Sequence, residues 1–172
     1  RQMQITRRAV LLGLAGLPVI GAQTPAWAIS FRTITWEDLI PEGVPYSEIV
    51  GEGSYDEAND TWLPDFDANA YKFVDALDGA QIRMPGYMLP LETGGTGVTQ
   101  FILTPYVGAC IHVPPPPPNQ LVFVTSQKPW RSAGMFEAVW VQGTIKVNPV
   151  STNLAEIGYD MVADEIEPYV WE

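Results

Sequence analysis

Cys110 and His112 are the only cysteine and the only histidine in a chain of 172 residues, and they stand two apart within Tyr106–Gln120, YVGACIHVPPPPPNQ. In an extended backbone residues i and i+2 project from the same face, so a thiolate sulfur and an imidazole nitrogen at this spacing can converge on one metal ion. Zinc needs at least a third protein ligand if water is to fill the fourth position. Glu92, at the end of a strand-like run, is the nearest carboxylate of suitable chemistry, and the late acids Asp160, Asp164, Glu165 and Glu167 are others that spacing does not rank. Copper(I) is the second metal, because Met84 and Met88 share one parity and would add soft thioethers to the thiolate. The competing reading makes both methionines core filler, Cys110 a small buried hydrophobe and His112 a satisfied imidazole.

The same pair permits a nucleophile lowered in pKa by His112. Against this, no orienting third residue, C-x-x-C pair or G-x-S-x-G elbow accompanies it, so no catalytic residue is assigned. Two residues after His112, Pro114 to Pro118 impose a polyproline-II rod about 15 Å long. The rod is read as a stiff connector packed on the protein's own aromatic residues. A docking ligand for a foreign aromatic groove is the alternative.

These side chains must be positioned by strands. Gln81 to Leu91 alternates through Ile82, Met84, Tyr87, Leu89 and Leu91 with Pro85-Gly86 interrupting, the pattern of a long strand with a bend. Gln100 to Thr104, Leu121 to Thr125, Glu137 to Val147 and Ile157 to Ala163 supply four more strands, Glu137 to Val147 with Gly143 in its middle. Five curved strands with few helices predict a mainly β fold, a small five-stranded OB-like barrel, with a β-sandwich as the alternative. Ahead of it, Thr35-Trp36-Glu37-Asp38-Leu39 predicts a one-turn helix stopped by Pro41, with Thr35 as N-cap. Residues 41–69 mix Pro, Gly and Asn with Glu42, Glu48, Glu52, Asp56, Glu57, Asp60, Asp65 and Asp67, which predicts a long acidic surface excursion. The EF-hand spacing is missing, so a solvated loop is favoured over a calcium site.

Composition narrows the partners. Nine Lys+Arg against 20 Asp+Glu give a formal charge of −11, and no basic cluster lies beyond the first eight residues, which argues against nucleic acid. A single Cys excludes an intrachain disulfide and a Cys-pair zinc ribbon. Residues 5–28 pair Arg7 and Arg8 with an apolar stretch from Ala9 to Ala22 and end in Ala26-Trp27-Ala28, the form of a twin-arginine-like export signal cleaved after Ala28. That stretch is shorter than the roughly 20 residues a bilayer span needs, so no stable membrane anchor is expected. Cleavage removes Arg1, Arg7 and Arg8 and no acid, taking the charge from −11 to −14. The expected organisation is an export signal over 1–28, a loop-rich segment over 29–70 and the barrel over 71–172, in a periplasmic protein.

LDGAQIRMPGYMLPLE (Leu77 to Glu92), FILTPYVGACIHVPPPPPNQLVFV (Phe101 to Val124) and VWVQGTIKV together resemble the DUF3299 family of exported bacterial proteins, over about Leu77 to Tyr169. The resemblance implies a small envelope β-barrel of unestablished function, often encoded beside ABC-transporter components and sometimes in zinc-responsive clusters. It places Cys110, His112 and Glu92 on the family's motif positions. Many relatives look lipid-anchored, whereas this chain has no Cys at the cleavage region. The expected function is a periplasmic metal-binding accessory or chaperone, zinc ahead of copper, working beside a transporter component or another periplasmic protein. The alternative is a non-catalytic β-barrel interaction module of the envelope without metal.

Overall fold

The structure is a computed structural model that describes residues 30–111 and 113–170, with the side chains of Thr93 and Gly94 outside the description. The export signal over 1–28 and His112 therefore lie outside the described residues. In chain order the strands are β1 (Arg32–Thr33), β2 (Ser54–Asp56), β3 (Thr61–Leu63), β4 (Ala80–Gly94), β5 (Gly97–Thr104), β6 (Val122–Trp130), β7 (Glu137–Ser151) and β8 (Glu156–Pro168). Among the described residues no helix is long and apolar enough to cross a membrane.

β4 is long enough to serve two neighbours. Its first part, Ala80 to Met88, pairs antiparallel with β7, and its second, Tyr87 to Gly94, pairs antiparallel with β5. β5 then pairs antiparallel with β6, β6 parallel with β8, and β8 antiparallel with β7, which returns to β4. The five strands thus form a closed ring in which the last strand is inserted between the third and the fourth. This is an OB-like connection order, and closure distinguishes it from a sandwich.

Alternation along the strands sorts the side chains between two clusters. Met84, Met88, Phe101, Leu103, Val122, Val124, Val139, Val141 and Met161 are buried in the interior cluster. Ile34 and Leu39 belong to that cluster too, Leu39 coming from the predicted single turn at Glu37–Leu39. The Asp38 carboxylate accepts the Thr35 N–H at 2.7 Å, but the N-cap position itself is Trp36. Tyr159 is fully buried inside the ring; its hydroxyl donates to the Leu39 carbonyl at 2.7 Å and accepts from the Val74 N–H at 2.9 Å. Tyr159→Phe leaves both groups without that partner, and urea unfolding should show a loss of about 2 kcal/mol.

Both glycines singled out in the sequence sit where backbones or bulky groups close in. A Cβ on Gly86 would lie 2.7 Å from Leu103 and 2.9 Å from the Trp36 ring. One on Gly143 would lie 2.1 Å from the Val162 carbonyl oxygen, beside a bulge where Gln142 faces Glu165 and Gly143 faces Ala163. The acidic excursion has more local structure than expected, because β2 and β3 form a hairpin within it. Its acids terminate turns: Asp56 accepts from the Ala58 N–H at 3.0 Å and from the Asn59 amide at 2.7 Å. Those bonds, Asn59's first, hold the Asp56 carboxyl below the usual carboxylate range.

Candidate functional site

The opposite face of the sheet carries the second cluster. Leu89, Ile102, Leu121 and the partly buried Phe123 have the reverse parity of Met88, Phe101, Val122 and Val124, and so point out of the ring from β4, β5 and β6. OB-folds commonly bind their ligands over this part of the barrel, framed by the loops after the first and fourth strands. Here the segment after β5 folds back across it. Ala109 and Cys110 pack on Leu89, Ile102, Leu121 and Ile157, joined by Leu154 and Ala155 from the β7–β8 connection. The customary binding face is filled by the protein's own chain.

The filling segment is held by two buried amides at its far end. Asn119 donates to the Asn69 and Lys72 carbonyls at 2.9 and 3.2 Å, and Gln120 donates to the Trp36 carbonyl at 2.9 Å. Pro115 to Pro118 are buried, which matches the connector reading of the proline rod and removes most of the surface a foreign groove would need. Tyr106 donates to the Pro114 carbonyl at 3.2 Å, tying the start of the segment to the rod.

Cys110 sits in a turn, not in a strand. Its φ is +66°, the Ile111 N–H donates to the Gly108 carbonyl at 3.3 Å, and the Val113 N–H donates to the same oxygen at 3.2 Å. The i, i+2 same-face argument for Cys110 and His112 requires extended backbone, so it does not apply here. The turn buries Cys110 to 7% exposure among aliphatic side chains, and burial pushes the thiol pKa from 9.0 up to about 12. What remains accessible beside it is a groove of about 240 Å³ shared with Asp60, Trp62, Ile111 and Val113.

The other candidates are dispersed. Glu92 is exposed at the far end of β4, opposite Gln100 and flanked by two register shifts. Met84 and Met88 are fully buried inside the ring, in the cluster that does not contain Cys110, so the thioether-plus-thiolate set for copper is not assembled. Glu167 pairs with Arg83 at 2.9 Å and Glu165 accepts from Gln142. Among the described residues no three Cys, His, Asp or Glu side chains gather to hold an ion.

Two neighbourhoods were not foreseen. Asp60 and Trp62 reach Cys110 from the β2–β3 hairpin, some fifty positions earlier in the chain. A groove of about 690 Å³ lies between the β4–β5 turn and the β6–β7 connection, lined by Pro90, Thr96, Trp130, Arg131 and Met135. It shares no residue with the Cys110 groove. The one sequence signal for it is the glycine-rich turn Gly94-Gly95-Thr96-Gly97, which the fold sets beside Trp130 and Arg131.

The model of the DUF3299 family, described as proteins of unknown function, matches residues 36–168. A crystal structure of a DUF3299 family protein from Pseudomonas aeruginosa PAO1 superposes with a TM-score of 0.67 at 37% identity, covering 83% of this chain and 99% of that one. No curated protein matches the chain. With the family model spanning most of its length and a solved relative 37% identical over 83% of it, the chain belongs to the DUF3299 family.

Proposed function

We propose that this protein is a non-catalytic interaction module of the cell envelope, an OB-like barrel that works by binding another protein. The observation that carries this reading is the burial of Cys110. A protonated thiol packed on Leu89, Ile102, Leu121 and Ile157 is a wedge fixing the 105–121 segment to the barrel, neither a nucleophile nor a ready ligand. A barrel whose ordinary ligand face is covered by its own chain is left to make contacts through its other surfaces, that of the covering segment among them.

A metal-binding accessory role, zinc ahead of copper, is the second reading, and one observation favours it. Cys110 and Asp60 line the same small groove, and His112 follows Ile111 in sequence. Elemental analysis separates the two readings. Protein purified without chelators is expected to carry far less than one equivalent of zinc or copper, with no change in Cys110→Ala. A full equivalent that disappears in Cys110→Ala or His112→Ala would establish the metal reading instead. The interaction reading also requires that a photo-crosslinking amino acid, placed singly at exposed positions in the producing cell, yields a discrete adduct with another protein from at least one face. Silence at every position would end it.

A further inference from the structure

Exposed apolar side chains are concentrated on one face. Tyr46, Ile49, Tyr106, Val107 and Val113 all line a single groove of about 390 Å³ bounded by the buried prolines of the rod, and Val107 is 59% exposed. Ile111 extends this surface into the adjoining Cys110 groove, which shares Val113, Pro114 and Pro115 with it. Contiguous apolar surface of this kind marks a site of interaction more often than chance scatter does. The proline rod and the Tyr106–Pro114 hydrogen bond make the groove pre-formed, so an occupant need not order it first.

Charge identifies the occupant. The groove is built from two stretches of chain, 41–69 and 105–121. The first holds eight acids and no Lys or Arg, and the second holds no Asp, Glu, Lys or Arg. Glu48 is exposed and immediately precedes Ile49, which lines the groove. A second copy of the chain would bring eight more acids against these, and an anionic lipid surface would also meet like charge; both juxtapositions are unfavourable. We propose that this face docks a cationic amphipathic segment of a partner protein, with apolar side chains in the groove and Lys or Arg toward the acids of 41–69. The proposal rests on the interaction-module reading and names the surface and the partner's chemistry.

The probe is a synthetic amphipathic peptide of Leu and Lys, compared with its Leu and Glu counterpart by fluorescence anisotropy on the full chain. The Lys peptide is expected to bind and the Glu peptide not to. Val107→Lys and Ile49→Lys, both at exposed positions that should leave the melting temperature unchanged, are each expected to weaken binding about tenfold. Met135→Lys adds the same charge at an exposed apolar position of the other groove and should leave binding unaltered. Equal weakening by Met135→Lys would reveal diffuse charge attraction and overturn the proposal. So would failure of the Lys peptide to bind, a dimer that Val107→Lys dissociates, or phosphatidylglycerol vesicles that bind through Val107. In the cell, a crosslinker at Val107 is expected to capture a Lys- or Arg-rich segment. Adducts from position 135 alone would overturn this face while keeping the interaction module, whereas no adduct from any position removes both.

Discussion

Gly143→Ala is expected to lower unfolding stability by about 3 kcal/mol, at the upper end of what overpacking usually costs. The new methyl would sit 2.1 Å from the Val162 carbonyl oxygen and 2.9 Å from the Ala163 Cα, both backbone atoms of β8. No rotamer change relieves that contact, because neither atom belongs to a side chain. β7 and β8 would have to separate at the bulge, and their pairing is part of what closes the ring. Chemical denaturation with circular dichroism measures the loss. Gly95→Ala is the matched control, since a Cβ there meets nothing within 4 Å and the change should stay within about 0.5 kcal/mol. Equal stability of the two variants would show that β7 and β8 do not approach as described.

Alkylation of Cys110 at pH 8 is expected to run about a thousandfold slower in the native protein than in urea-unfolded chain, because only the thiolate reacts. The factor follows from a thiol lifted by burial from 9.0 to about 12, which cuts the ionised fraction at pH 8 by three powers of ten. Restricted access at 7% exposure slows the native reaction further. The same shift fixes a sign for stability. Above pH 9 the unfolded thiol releases its proton while the folded one keeps it, so stability is unaffected below pH 9, declines as pH rises, and stops declining for this reason near pH 12. Timed quenching with iodoacetamide and mass spectrometry gives the rate ratio. Native labelling as fast as unfolded labelling would place the thiol at the surface and remove the physical basis for treating Cys110 as a wedge.

The barrel was legible because its strands alternate over long runs. The five expected segments each fall within or against a barrel strand, and the two glycines mark close approaches that a long, bent strand requires. Shorter elements were not legible. β1 has two residues, and β2 and β3 have three each in acidic sequence, too few for any period to stand out. Leu39 and the Thr35–Asp38 contact were readable from residue spacing, yet the cap fell one residue later than expected. At the candidate site, the single Cys110 marks a segment that is structurally central. Its spacing to His112 predicts strand geometry, whereas the left-handed backbone at Cys110 and the bonds to Gly108 make a turn. Nothing local to the sequence encodes that fold-back. It depends on Leu89, Ile102 and Ile157 offering an apolar bed from three separate strands. Asp60 and Trp62 were missed for the same reason, since only the tertiary fold brings their hairpin to Cys110.

The parallel seam between β6 and β8 has a consequence for how the chain assembles. Neither β6 nor β7 can complete its pairing until β8, Glu156 to Pro168, has been made and threaded between them. Until β8 is in place the first four barrel strands therefore remain an open sheet with two unsatisfied borders, and the 13-residue β8 acts as the fastener. Topologies that depend on such distant partners fold on the slow side, over milliseconds to seconds. Throughout that interval the nascent chain is at its most vulnerable to sticking to its neighbours.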